Sequence, residues 1–215
     1  MTKNKLKTIL LTICCAVLLV CVSVGATVAY LTSTTTEVNN TFTAGNVAIT
    51  LDEAKVTYNA ETNKYEAANG RTNKNEYNIL PGTVVWKDPT ITVVKNSENC
   101  YVRAIVTITY PEDTFEYDWL GNLGDGWTLN KTTDKTAEGA TLTTTEYEFR
   151  YSAIVGKNTE GDTKLPPVFT TLTIPETLNN DDVKKLEDFK IDVVGHAIQA
   201  GGFADANDAW TAFGN

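Results

Sequence analysis

The chain has 215 residues and a formal net charge of −9, and 42% of its residues are hydrophobic. This length suits one domain of ordinary size plus a leader. If the first 29 residues are removed, 15 basic against 27 acidic side chains leave a charge of −12. Such an acidic chain is a poor match for nucleic acid or an anionic membrane surface, and neither is expected as a partner.

The N-terminus has the layout of a secretory signal peptide. Three lysines lie in "MTKNKLK", and no charged residue occurs between Thr8 and Thr36. A basic start, an apolar run and small residues at its end predict a signal peptide over residues 1–29, cleaved between Ala29 and Tyr30. Cleavage after Ala26 is an alternative. The apolar run is also long enough to cross a bilayer, so an uncleaved membrane anchor is the alternative interpretation.

Beyond the leader, the sequence predicts strands with polar turns. In chain order, the predicted strands cover 46–51, 87–96, 100–110, 140–155, 166–175 and 189–200. The last is apolar on both faces for part of its length, which is typical of a central strand. Residues 59–78 are polar and predict a long loop or a protruding hairpin.

Two segments near the C-terminus have helical spacing instead. Residues 179–189 and 203–213 each place apolar side chains on one face, and Trp210 and Phe213 are the expected anchors of the second helix. Short strands separated by regular turns, with few helices, predict a mainly β, antiparallel β-sandwich over residues 45–215.

The residue types that carry catalysis are scarce. His196 is the single histidine, and the chain has no HExxH or GxSxG motif. We therefore predict no catalytic, metal or cofactor-binding residue and no enzymatic activity. Glu146 and Glu148 share a strand face, which favours a solvated surface over a glycosidase pair. Cys100 alternates with apolar residues, which predicts a buried thiol.

Four aromatic residues surround the glycine-rich turn at 121–126: Phe115, Tyr117, Trp119 and Trp127. Trp119 and Trp127 are candidates for a platform on which a sugar ring stacks. A secreted surface or glycan-binding module is therefore an alternative function. Packing of these rings in the core is the competing interpretation.

Three stretches resemble the TasA/camelysin family of exported Gram-positive proteins. The junction "ATVAYLTSTTTEVNNTFTAGNVAITL" is similar to the family's leader-to-domain segment, although Leu31 and Ser33 replace the usual Phe and Asp. "ILPGTVVWKDPTITVVKNSENCYVRAIVTI" is similar to its L-x-P-G, VKN and YVR core. "HAIQAGGFADANDAWTAF" is similar to the ending of many relatives.

The resemblance implies a secreted, non-enzymatic protein of the extracellular biofilm matrix or cell surface. Its leader would be removed by a SipW-type signal peptidase. Its domain would be a jelly-roll-like sandwich with appended helices, and it would form fibres with itself or with related matrix subunits, as a main or an accessory subunit. Camelysin-like metalloprotease activity is a further alternative, for which the sequence offers no zinc site. The protein would contact the membrane only through an uncleaved leader.

Residues 30–44 suit strand addition on chemical grounds as well. The run is rich in β-branched residues, and it is free of proline and of charge up to Glu37. An extended peptide of this kind can pair with the open edge of a sheet. The candidate assembly-strand residues are Tyr30, Leu31, Thr34, Thr36, Val38 and Phe42. Pairing with its own domain, or disorder, is the alternative.

Overall fold

A computed structural model describes residues 46–111 and 115–214, which are mainly β-strand. Within these ranges the strands are β1 (Ile49–Asn59), β2 (Lys64–Thr72), β3 (Val84–Trp86), β4 (Thr90–Val93), β5 (Cys100–Pro111), β6 (Trp127–Asp134), β7 (Leu142–Tyr151), β8 (Thr163–Lys164), β9 (Thr171–Thr173) and β10 (Lys190–Gln199). The α-helices are α1 (Asn180–Lys185) and α2 (Ala206–Phe213), and 3-10 turns cover Tyr117–Trp119 and Leu186–Asp188.

One sheet has four antiparallel strands in the order β10-β5-β7-β6. Strand β5 pairs along most of its length with β10 on one side and β7 on the other. Alternate residues of β5 point into the core and are fully buried: Cys100, Val102, Ala104, Val106 and Ile108. The prediction of a buried Cys100 on this strand is confirmed.

The other sheet has six strands in the order β8-β4-β1-β2-β3-β9. Strand β1 pairs first with β4 and then with β2, and a bulge lies between Ala54 and Val56 where the partner changes. Such a bulge bends a strand, which lets β1 serve two neighbours. The pairs are antiparallel except for the short parallel contact of β2 with β3. That contact is the one departure from the predicted arrangement within the described pairs.

The hydrophobic core lies between the two sheets. It joins Val85 and Ile91 of the six-stranded sheet to Phe149 of the four-stranded sheet, and all three side chains are fully buried. A Cβ atom added at Gly195 of β10 would lie 3.0 Å from Cδ1 of Ile91 and 3.3 Å from Cδ1 of Ile49. Glycine at this position therefore permits a close approach of the sheets. Residues Gly45–Asn215 form one compact unit.

The predicted mainly β sandwich with two short C-terminal helices is confirmed, and the jelly-roll connectivity stays a prediction. Helix α1 begins with a capping box in which the Asn179 side chain accepts from backbone amides and Asp182 reaches back to the Asn179 amide. Helix α2 is capped by Asp205 and buries Trp210, whereas Phe213 remains 43% exposed. Neither helix is long enough to cross a bilayer, and the other described residues supply no candidate span.

Several predicted strands differ in the structure. Strand β10 lies at a sheet edge and not at its centre. Helix α2 covers part of its outer face, so His196 there is partly shielded although no further described strand pairs with β10. The predicted 166–175 strand shortens to β9. Residues 59–78 contain the β1–β2 turn and strand β2, so the hairpin alternative holds. The sequence analysis missed β6, whose residues are mostly exposed and show no apolar alternation.

The buried interface between the sheets should dominate stability. Replacing Phe149 with alanine should lower the free energy of unfolding by about 3–5 kcal/mol, because it removes a fully buried ring from the centre of the core. The matched control is Ile154→Ala, at a side chain that is 50% exposed, which should cost less than about 1 kcal/mol. Urea unfolding measures both, and similar losses for the two variants would contradict this description of the core.

Candidate functional site

The cleavage and assembly residues predicted from the sequence lie outside the described part of the chain. These are Ala29 and Tyr30 at the cleavage site, and Leu31, Thr34, Thr36, Val38 and Phe42 in the assembly strand. They stay predictions. The structure does describe the surface formed by residues 46–111 and 115–214.

The two tryptophans proposed as a sugar platform lie in the core. Trp119 is 6% exposed and contacts the rings of Phe115 and Phe189, while Trp127 is 4% exposed. The indole Nε1 of Trp127 donates a 2.8 Å hydrogen bond to the Pro166 carbonyl. Neither ring offers a face for sugar stacking, so these two residues do not form the platform, and the core-packing interpretation applies to both.

A cleft of ≈ 1090 Å³ runs beside β10. We call it the β10 cleft. Three stretches line it: residues 51–53 of β1, residues 72–77 after the β1–β2 hairpin, and residues 190–194 of β10. Apolar side chains add to the lining: Ile79, Val85, Leu172 and Phe189. The lining of the cleft therefore combines the edge of a strand with apolar side chains.

The five consecutive β10 residues show how the cleft is oriented. Side chains of a strand alternate between its two faces. A cleft lined by Lys190, Ile191, Asp192, Val193 and Val194 in succession therefore runs along the strand's edge and not over one face. On its other side β10 pairs with β5 throughout, and no other described strand pairs with it. The β10 edge thus presents unpaired backbone groups beside the cleft.

Charged side chains of the cleft wall are mostly paired. Lys87 Nζ lies 2.8 Å from Glu53 Oε2, and both side chains are about one-tenth exposed. Arg71 bridges Asp52 and Asp88, which holds β1 to the segment that precedes β4. Burial is the main cause of a raised Tyr77 pKa, so its hydroxyl stays neutral. The sequence analysis did not predict this wall. The one signal in the sequence is that Lys87 directly follows the apolar run "TVVW", which places a lysine at the end of a buried strand.

A second polar cluster lies on the outer face of the four-stranded sheet, beneath α2. The Arg103 guanidinium stacks 4.6 Å from the Trp210 ring centre and donates to His196 Nδ1 at 3.2 Å. Glu148 is 12% exposed and receives hydrogen bonds from Arg103 and Arg150. The expectation of a solvated face is therefore wrong for Glu148, because two arginines engage its carboxylate and its side chain is largely buried.

This cluster is a structural contact between α2 and the sheet. His196 also packs its ring 5.0 Å from that of Phe213. Among residues 46–111 and 115–214, no group of three or more His, Cys, Asp or Glu side chains is arranged to hold a metal ion. No protein family, curated protein or solved structure matches the chain.

The His196 contact predicts a specific pH dependence. Burial, followed by the charge of Arg103, lowers the pKa of His196. A lowered pKa means that the unfolded chain binds the proton more tightly, so stability falls as pH drops below the ordinary value of about 6.5. His196→Gln, which keeps an acceptor for Arg103, should flatten this decline between about pH 6.5 and 5. Urea unfolding across this window tests it, and parallel declines in both proteins would contradict it.

Proposed function

We propose that the protein is a secreted, non-enzymatic structural subunit that assembles into extracellular fibres by strand addition. Residues 30–44 of one copy would pair with β10 of the next copy. The observation that carries this proposal is the unpaired β10 edge beside the β10 cleft. The resemblance to the TasA/camelysin family supports the same function, as a main or an accessory subunit of a biofilm matrix.

Backbone hydrogen bonds would supply much of the affinity. An added strand satisfies the N–H and C=O groups that an edge strand leaves open, and main-chain pairing tolerates many sequences. Strand β10 is one of the longer strands, extending from Lys190 to Gln199. It therefore offers enough edge for most of a segment the length of residues 30–44.

Side chains would set the register. In an extended chain Thr34, Thr36, Val38 and Phe42 fall on one face, because the side-chain period is two. In β10 the side chains that point toward the core beside the cleft are Ile191 and Val193. Burying Val38 and Phe42 beside them would shield apolar lining of the cleft from water.

The β10 edge combines protection with access. Lys190 and Asp192 form a 2.6 Å ion pair on its outer face. Charges of this kind hinder uncontrolled pairing of edges. Val194, by contrast, is 51% exposed at the end of the cleft-lining stretch. The ion pair would hinder pairing with a second copy of β10, while the neighbouring cleft would accept the side chains of a specific incoming strand.

Pairing between copies explains how filaments would arise. A donor segment at one place and an acceptor edge at another form a head-to-tail contact, which extends indefinitely unless its rotation closes a ring. Before cleavage the donor segment is attached to the leader, so assembly would follow removal of the leader between Ala29 and Tyr30.

Truncation provides the first test. Protein comprising residues 30–215 should form filaments whose amount rises with concentration, whereas residues 45–215 should remain monomeric because the donor is missing. Sedimentation and negative-stain microscopy measure both. A folded monomer from both proteins, or filaments from both, would contradict donor-strand assembly.

Paired proline variants test the acceptor. Neighbouring amides of a strand point to opposite sides, so one of Val193 and Val194 directs its N–H to β5 and the other to the open edge. Proline at the edge-directed position should preserve the fold and abolish filaments, since edge strands tolerate proline but an added strand is blocked. Proline at the other position should lower stability, as urea unfolding would show. If the variant with proline at the edge-directed position is stable and still assembles like wild type, β10 is not the acceptor.

A further inference from the structure

Two side chains in the wall of the β10 cleft, those of Lys87 and Asn75, donate hydrogen bonds to the carboxylate of Glu53. Glu53 Oε2 accepts from Lys87 Nζ at 2.8 Å, and Glu53 Oε1 accepts from the side-chain amide of Asn75 at 3.0 Å. Glu53 and Lys87 are each only 8% exposed. The three residues come from β1, from the segment after β2 and from the segment after β3, so the fold brings an amine, a carboxamide and a proton acceptor together.

We propose that Lys87 and Asn75 react to form an intramolecular isopeptide bond, with Glu53 carrying the protons. The amine is the nucleophile, the Asn75 carboxamide carbon is the electrophile, and ammonia is the leaving group. The reaction needs no cofactor, oxidant or second protein. It is independent of strand addition and would stand if that proposal failed.

The steps balance within these three side chains. The Lys87 ammonium first gives a proton to the Glu53 carboxylate across their hydrogen bond. The neutral Nζ then attacks Cγ of Asn75, and a new Nζ–Cγ bond forms. The Cγ–Nδ2 bond breaks as Glu53 delivers a proton to Nδ2, which leaves as ammonia. That delivery returns Glu53 to its carboxylate form, the second proton lost by Nζ leaves with the ammonia as ammonium, and no atom changes oxidation state.

The surroundings favour this reaction. The hydrogen bond from Lys87 Nζ to Glu53 Oε2 gives the amine's proton a direct acceptor. The Asn75 amide is also held by the Ala54 carbonyl at 2.9 Å, so the electrophile is fixed in place. The Tyr77 ring lies 5.9 Å from Lys87 Nζ and shields it from solvent. Fixing two reactants together in this way accounts for a large part of the rate of intramolecular reactions.

The bond would have a structural consequence. It would close a ring through the Pro81-Gly82 turn and tie residues 72–77, which form one wall of the cleft, to the segment after β3. A covalent closure of this kind limits the unfolded chain in the way that a disulfide does. The chain has no second cysteine among its described residues with which Cys100 could provide such a closure.

Tryptic mapping of the folded full-length protein tests the proposal. Trypsin cuts after Lys74 and, in an unlinked chain, after Lys87. In the linked chain Lys87 is an amide and resists cleavage, so the protein should yield a peptide covering 75–95 that is one ammonia lighter than its sequence. Fragmentation in the mass spectrometer should place the ring between Asn75 and Lys87.

Three variants and one matched control complete the experiment. Lys87→Arg, Glu53→Gln and Asn75→Ala should each lose the ammonia deficit, and Asn75→Ala keeps the Lys87–Glu53 ion pair, so it should still fold. Asn73→Ala changes an exposed asparagine of the same segment and should retain the deficit. Wild-type protein that gives a 75–87 peptide of full mass would overturn the proposal. So would an ammonia deficit that survives Lys87→Arg, because it would indicate a succinimide within the chain.

Discussion

The structure depends on the pairing of β5 with a neighbour on each side. Its core face is fully buried, and its outer face carries Arg103, which fixes α2 through Trp210. Both faces of the four-stranded sheet are therefore occupied near its centre, by the second sheet on one side and by a helix on the other. The four-stranded sheet has two edge strands, β6 and β10. Strand β10 uses one edge entirely for β5, and its other edge lies open beside the β10 cleft.

The open edge and the cleft beside it give the proposed function its physical basis. An edge strand attracts another strand because its backbone groups lack partners, and proteins usually block such edges. Here the blocking charges stand on the outer face of β10, while Ile191 and Val193 turn toward the core. The opposite wall is held by ion pairs of Glu53 and Arg71, and the proposed isopeptide bond would make part of that wall covalent.

The sequence predicted the elements with strong periodicity and missed those without it. Strand β5 and helix α2 were predicted because alternation and helical spacing record burial directly. Strand β6 was missed because an exposed edge strand needs no apolar residues, and β10 was placed at the centre of a sheet because a helix covers its outer face as another layer would. The triad of Glu53, Asn75 and Lys87 was beyond prediction, since its members are distant in sequence and only the register of β1 and the path after β2 bring them together.

Amide hydrogen exchange along β10 tests the central claim most directly. The measurement compares residues 45–215 alone with the same protein in the presence of a synthetic peptide of residues 30–44. If the peptide adds as a strand, alternate amides between Lys190 and Val194 should exchange more slowly, because only the edge-directed N–H groups gain partners. Unchanged exchange along β10 at saturating peptide, or slower exchange confined to the β6 edge, would contradict the assignment of β10 as the acceptor.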